Sequence, residues 1–417
     1  MFRFWPLSLF LGLSAVLSTV NAAYYDTLPQ GVRALVYRQV NTTRVSSAFN
    51  GTRQESDYSF KININAAAIQ AATTALDAYL TPLKQLSPEA YNEFQLGEYD
   101  IDANGQVSVQ ALGLAYGIND RLSMYVGVPY YNATVEMNFV RTRGNNNKSV
   151  QNIVNSNLSS QSERDLAASW VTGATNNLPD ITGGNIQSIV VNYLGYQPLG
   201  NWQAKGLGDT EIGTIYRWTD HVGWGVASTF GIMAPTGRTD DPDIIQDIAF
   251  GDGQWDVFAE VGGGINHYFF NMAWEGFLRY TYQAPATKTL RIPESQEYTL
   301  GSKKGTFREK LGDKIDLGFG PTYIFTPWLS LSTSYLMNHT FKSKYDSNDE
   351  PSNIILSNNT RKDSHSIKGD LAFSTVDWYK RGRFMAPLTM TLSAQHIFSG
   401  VNVPRYTRVD FEFRLYF

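Results

Sequence analysis

Residues 408–417 read Arg408-Val409-Asp410-Phe411-Glu412-Phe413-Arg414-Leu415-Tyr416-Phe417, and their alternation decides the fold. Successive side chains of a strand point to opposite faces. Val409, Phe411, Phe413, Leu415 and Phe417 therefore share one face, and Arg408, Asp410, Glu412 and Arg414 share the other. An edge strand of a soluble sandwich would leave that apolar face bare beside a free terminus. In a transmembrane barrel the apolar face meets lipid and the charged face meets the lumen.

A terminal strand of this kind, carrying Phe411, Phe413, Leu415 and Phe417, also resembles the signal that barrel-assembly machinery reads in outer-membrane proteins, which makes that machinery an expected partner. The other end agrees. Arg3 precedes an apolar run from Leu7 to Leu17, and Val20-Asn21-Ala22 supplies small exit residues, the layout of a cleavable secretory signal over residues 1–22. That run is short for a membrane anchor. The chain has no Cys, so neither lipoprotein processing nor disulfides are available to it. No later segment has the roughly 20 apolar residues of a spanning helix, which leaves a closed barrel as the way across a bilayer. An aromatic share of 13% suits two interfacial girdles. Net charge is −4, and −5 once Arg3 leaves with the signal, which argues against nucleic acid as a partner.

Period-two alternation predicts strands at 53–65, 107–118, 121–140, 207–219, 222–235, 254–270, 271–284, 312–327, 328–344, 365–379, 386–398 and 405–417. Their connections alternate between short, such as Asn119-Asp120 and Phe270-Asn271, and long, such as 236–253 and 285–311. Outer-membrane barrels sort their loops in this way, with tight turns at the periplasmic rim and long loops outside. The expected fold is all-β: a transmembrane antiparallel β-barrel of about twelve strands in the Gram-negative outer membrane. Residues 53–417 would form it, with insertions at 66–106 and 141–206. Residues 23–52, which include Val32–Val40, read as a periplasmic lead-in, a first strand displacing 53–65, or a plug. Within 66–93 the alanine-rich stretch reads as helix broken at Pro82, and Ser87-Pro88-Glu89 opens a second short one. Residues 145–185 read as a large surface loop.

The inferred inward faces carry Glu211, Arg217, Glu260, Glu275, Arg279, Asp316, Asp370, Arg408, Asp410, Glu412 and Arg414 as candidate lumen-lining residues. A Lys or Arg at the lipid-facing midplane would cost about 2–4 kcal/mol. Two readings of these groups stay open: a salt-bridged network closing a narrow bore, or a polar lining for solute. Asp100-Ile101-Asp102-Ala103-Asn104-Gly105 begins like a calcium loop but has Ala111 where the bidentate Glu belongs, so a plain turn is expected. The acidic stretch Asp240-Asp241-Pro242-Asp243, with Asp247 and Asp252, reads as a solvated loop. His221, His267, His339, His365 and His396 fall in no nucleophile motif, with His365 expected in a loop. No catalytic residue, metal or cofactor is expected.

Gly206-Leu207-Gly208-Asp209-Thr210-Glu211-Ile212-Gly213, Ala234-Pro235-Thr236-Gly237-Arg238 and Gly251-Asp252-Gly253-Gln254-Trp255-Asp256 follow one another in that order. Over roughly residues 107–285 they resemble the outer-membrane barrels of the meta-pathway phenol-degradation family. The resemblance implies a transporter-like role; the residues themselves imply close backbone approach and turns at a barrel corner. The expected function is porin- or transporter-like, passing or binding small molecules, hydrophobic ones among them, with membrane lipid and a small solute as partners. The alternative is a structural or lipid-associated homo-oligomer with a plugged lumen, in which Ala111, Gly113 and Ala115 face outward for close packing.

Overall fold

The computed structural model describes residues 26–417 except 73–75, 157–159, 166, 168–181, 220, 222, 268–269 and 294–299. The secretory signal expected over 1–22 lies outside the described residues. Twelve strands make the barrel: β1 (Arg33–Thr42), β2 (Gln95–Asn119), β3 (Leu122–Arg143), β4 (Thr210–Arg217), β5 (Trp224–Ala234), β6 (Asp256–His267), β7 (Met272–Gln283), β8 (Lys314–Thr326), β9 (Leu329–Thr340), β10 (Lys362–Ser374), β11 (Leu388–Val401) and β12 (Thr407–Tyr416). Each pairs with its neighbours around the ring. The first strand also pairs antiparallel with the last, Ala34 opposite Tyr416, and with β2, Ala34 opposite Ala115. With no free edge in the ring, every strand's backbone groups find partners within it, the condition for crossing hydrocarbon.

Alternation in the sequence becomes inside and outside. On β12 Phe411 is 40% exposed while Asp410 is 2% exposed. Phe319, Tyr323 and Phe325 of β8, Trp255 beside β6 with its Val257 and Val261, and Leu392 of β11 are likewise exposed on the outer face. A Leu392→Arg exchange puts a charge in that band. It should lower the stability of the folded barrel in lipid by about 2–4 kcal/mol if the site is near midplane, read from the urea midpoint of folding into vesicles.

Two sequence expectations about the strands are corrected. The first barrel strand is β1, not 53–65. Residues 55–57 join a small sheet with Ser47–Phe49 and Val403–Arg405, and Ser59–Asn65 pairs with the 95–102 stretch of β2. At the other end of the chain β10 stops at Ser374, and Val376–Lys380 form a helical turn where strand was expected through 379. Strands β2 and β3 also run past the predicted ends, so the two long connections of the ring span 43–94 and 144–209.

Residues 59–103 and 137–200 form a second compact unit. Its core joins Leu80, Leu83, Ala90, Phe94, Val150 and Val154. Ser87 caps the helix Pro88–Glu93 by accepting the Ala90 N–H at 3.2 Å, as its sequence suggested. Pro82, expected to break the preceding helix, instead lies inside Asp77–Leu86. Proline there costs one backbone hydrogen bond, offset by the burial of Leu80 and Leu83 on either side.

The barrel interior as candidate functional site

The inward faces bring most of the predicted charges into two groups on opposite sides of the ring. On β12 and β1, Asp410 pairs with Arg38 at 2.6 Å and with Arg408 at 3.4 Å, and Arg414 pairs with Glu412. Nearby on β10, Asp370 meets Lys368 at 2.6 Å and accepts from the Ser332 hydroxyl of β9 at 3.2 Å. Across the barrel, Arg279 of β7 pairs with Glu260 of β6 at 2.7 Å and lies 3.8 Å from Glu211 of β4. The Tyr125 hydroxyl of β3 donates to Glu211 at 2.6 Å, and Phe258 lies under the Arg279 guanidinium at 4.2 Å. Asn338 donates to Asp316 at 2.6 Å. Arg217, near the short-turn rim, reaches Asp26 at 3.7 Å and donates to the Asp120 carbonyl at 3.0 Å. Glu275 is half-buried on the inward face of β7. Most of these charges are buried beside opposite charges, which repays part of their desolvation.

Arg38 is the member that sequence reasoning missed. It sits among Ala34, Val36 and Val40 on the inward face of β1, while Leu35 and Tyr37 point the other way. With apolar side chains on both faces, the strand shows little period-two contrast. The signal available was Arg38 on the alternating face that otherwise carries Ala34, Val36 and Val40.

Both ends of this charged belt are covered from inside. At the short-turn rim, residues 26–31 fold in. Leu28 packs against Ala34, Ala111, Ala115, Tyr125, Ile215, Ala227 and Tyr416, and its N–H donates to the Ser123 hydroxyl at 2.9 Å. The Gly31 N–H donates to the Gly117 carbonyl at 2.9 Å, and a Cβ on Gly117 would collide with the Pro29 carbonyl. At the long-loop rim, the connection from β5 to β6 dips inward. Ile248 and Phe250 pack against the inward residues Val40, Val107, Val109, Tyr131, Ala133 and Val135, with Phe250 stacked on Tyr131 at 5.1 Å. The expectation that Ala111, Gly113 and Ala115 face outward is therefore corrected. Ala111 is 2% exposed and Leu112 60% exposed, so the small residues face inward and make room for the lower cover.

The remaining sequence candidates lie elsewhere. Asp100, Asp102 and Asn104 belong to the extended strand β2 rather than to a turn, with Lys61 3.6 Å from Asp100. The acidic stretch of the β5–β6 connection is ion-paired, not merely solvated. Arg291 meets Asp243 at 2.6 Å, Lys304 meets the same carboxylate, and Arg238 meets Asp247 at 2.7 Å. Burial opposes ionisation of Asp243, but the hydrogen bonds from Lys304 and Arg291 hold its carboxyl below the usual range. Among the described residues no three His, Asp or Glu side chains are placed to hold a metal ion. His365 is on strand β10, not in a loop, and its Nδ1 is 2.6 Å from the Tyr335 hydroxyl. His339 pairs with Asp363, which Arg361 also meets at 2.7 Å. His396 Nδ1 is 2.8 Å from the Thr407 hydroxyl, His221 stacks on Trp224 at 4.7 Å, and His267 ends β6.

No family model matches this chain, and no curated protein matches it. Among solved structures, an outer-membrane channel from Pseudomonas putida F1 is similar over 96% of this chain and 100% of that one, at 12% identity and a TM-score of 0.51. The toluene transporter TbuX of Ralstonia pickettii matches more loosely, at 9% identity and a TM-score of 0.36 over 95% of this chain and 91% of that one. The toluene transporter TodX of Pseudomonas putida gives 10% identity and a TM-score of 0.32 over 97% and 93%. The first likeness is one of fold. Together with the closed ring and its apolar outer band, it makes this chain a twelve-stranded β-barrel of the Gram-negative outer membrane.

Proposed function

We propose that the barrel is a gated channel for small molecules, hydrophobic ones included. The observation that carries this reading is the way the lumen is closed. Its two covers are a chain segment, 26–31, and a loop, 235–255, each held by hydrogen bonds and a small apolar contact. Neither is a strand of the wall, so both can leave without opening the ring. The charged belt between them, lined by Glu211, Arg217, Glu260, Glu275, Arg279, Asp316, Asp370, Arg408, Asp410, Glu412 and Arg414, supplies polar partners for solute and water. The motif resemblance to the phenol-degradation family suggests small aromatic molecules as the first to try. The reading is of passage, not chemistry. The described side-chain hydrogen bonds of His365, His339 and His396 go to Tyr335, Asp363 and Thr407. Assembly by the barrel-assembly machinery belongs to the same reading, through the Phe411, Phe413, Leu415 and Phe417 face.

The second reading, a plugged structural barrel that associates with lipid or with its own copies, is favoured by one fact: both ends are covered at once. Proteoliposomes carrying the folded chain distinguish the two. Channel function predicts uptake of phenol or toluene well above protein-free vesicles, and discrete current steps in planar bilayers. Inserted, folded protein that gives neither would support the plugged reading.

A further inference from the structure

Three stretches distant in sequence, around Asp209, Gly237 and Asp252, meet at one carboxylate. Asp209 accepts the Gly237 N–H at 2.9 Å and the Asp252 N–H at 3.2 Å. Beside it the Thr236 hydroxyl donates to the Gly208 carbonyl at 2.9 Å and accepts the Thr210 N–H at 3.0 Å. The fit leaves no slack: a Cβ on Gly251 would press into the Asp209 carboxylate, and one on Gly237 would lie 2.8 Å from the Gly251 backbone. Gly251 directly follows Phe250, which with Ile248 packs on the inward residues of β1, β2 and β3. The loop's own brace is internal, with the Phe250 and Gly251 N–H groups on the Arg238 carbonyl at 2.8 and 3.0 Å. Asp209 is the acceptor for two of the loop's backbone N–H groups; the loop is also held by the Arg238 N–H on the Leu207 carbonyl at 3.1 Å, by Gln283 of β7 donating to Asp252 at 3.0 Å, and by Arg291 and Lys304 on Asp243.

We propose that Asp209 is the catch of the upper gate: loop 235–255 closes the lumen while its Gly237 and Asp252 N–H groups engage the Asp209 carboxylate, and opens when they release it. The inference rests on the channel reading above and adds the residue that regulates it. A side chain at 237 would press on the Gly251 backbone, and one at 251 would collide with the Asp209 carboxylate as long as that carboxylate is present. The same contacts explain why G-D, P-T-G and G-D-G occur together in the sequence.

The groups facing Asp209 are Asp252 on the loop, Asp256 at the start of β6, Lys314 of β8 and Tyr131 of β3. Burial, aided by Asp252 and opposed by the two backbone N–H groups and Lys314, pushes the Asp209 carboxyl up to about 6. In the released loop this carboxyl returns to water, where its ordinary value is about 4. The closed form therefore binds the proton more tightly, so acidification from pH 6 toward 4 favours closure, and at neutral pH the ionised catch is easier to release.

The test uses the full chain in planar bilayers. Asp209→Ala should raise open probability at pH 5, where the protonated catch holds closure best, about tenfold, the equivalent of leaving a buried N–H without its acceptor, and leave the conductance of each step unchanged. Asp209→Asn should abolish the acid-induced closure. Because the chain has no Cys, Asp209→Cys with Gly251→Cys gives a second, reversible test. Asp209 Cγ is 2.8 Å from where a Gly251 Cβ would sit, a separation suited to a disulfide. The oxidised pair should hold the gate shut and reductant should release it. Wild-type protein that conducts while the cross-linked pair conducts equally well, or Asp209→Ala that gates like wild type, would overturn the catch and leave the channel reading intact. Silence from the wild type and every variant would overturn the channel reading and the catch with it.

Discussion

Replacing Asp410 with alanine should cost the folded barrel about 3–5 kcal/mol, the penalty of removing one partner from a buried ion pair. Asp410 accepts from Arg38 at 2.6 Å and lies 3.4 Å from Arg408. Truncation would leave two guanidinium groups on the β1–β12 seam with their shared carboxylate gone. Asp410→Asn keeps one acceptor oxygen and should lose less. The measurement is the urea midpoint for folding into lipid vesicles, with heat-dependent gel migration as the check on folded protein. An Asp410→Ala midpoint equal to wild type would show that the seam does not depend on this pair. Arg408 faces the residual lumen with 11% of its side chain exposed and should be the easier of the two arginines for water to reach.

The second large effect concerns the two covers together. If residues 26–31 and loop 235–255 act as gates in series, their open probabilities multiply. Deleting 26–32, or forcing the segment out with Gly117→Val, should lengthen openings. Phe250→Ala with Ile248→Ala should do so independently, by removing the side chains that pack on Tyr131 and Val40. Both changes together should convert brief events into a continuously open pore, since each single change leaves the other gate in place. Single-channel recording reads this directly. Full conductance from one change alone would mean that the other segment does not close the lumen.

Much of this architecture was legible in the sequence wherever one strand face was polar and the other apolar. Strand β12 is the clearest case, and β6, β8 and β11 follow the same rule. Strand β1 broke it because its inward side is a docking surface for the covers: Ala34 contacts Leu28, and Val40 contacts the Ile248–Phe250 cluster. An inward face that packs protein looks like an outward face that packs lipid. The same ambiguity turned Ala111, Gly113 and Ala115 inside out on paper. Residues 53–65 alternate well enough to form a strand, and partly do, but alternation cannot say which neighbour a strand takes. The charged residues of alternating strands can be read from the sequence, but their pairing across strands depends on register and was not readable. The motifs around Asp209, Gly237 and Asp252 were read as turn geometry. Their meeting at one carboxylate follows from strand order, which places β4, β5 and β6 side by side.

The seam between β1 and β12 gives the chain a way to check its own closure. The ring shuts only where residues 33–42 pair with residues 407–416, the two barrel strands furthest apart along the chain. A slip of one position at that joint would turn Asp410 and Arg414 toward the bilayer and Val409 and Phe411 toward the interior. A slip of two would restore the faces but move Asp410 along the seam from Arg38. Only the correct alignment satisfies both oil and charge, so the final zippering step carries its own error signal, and a misaligned barrel stays open to rearrangement.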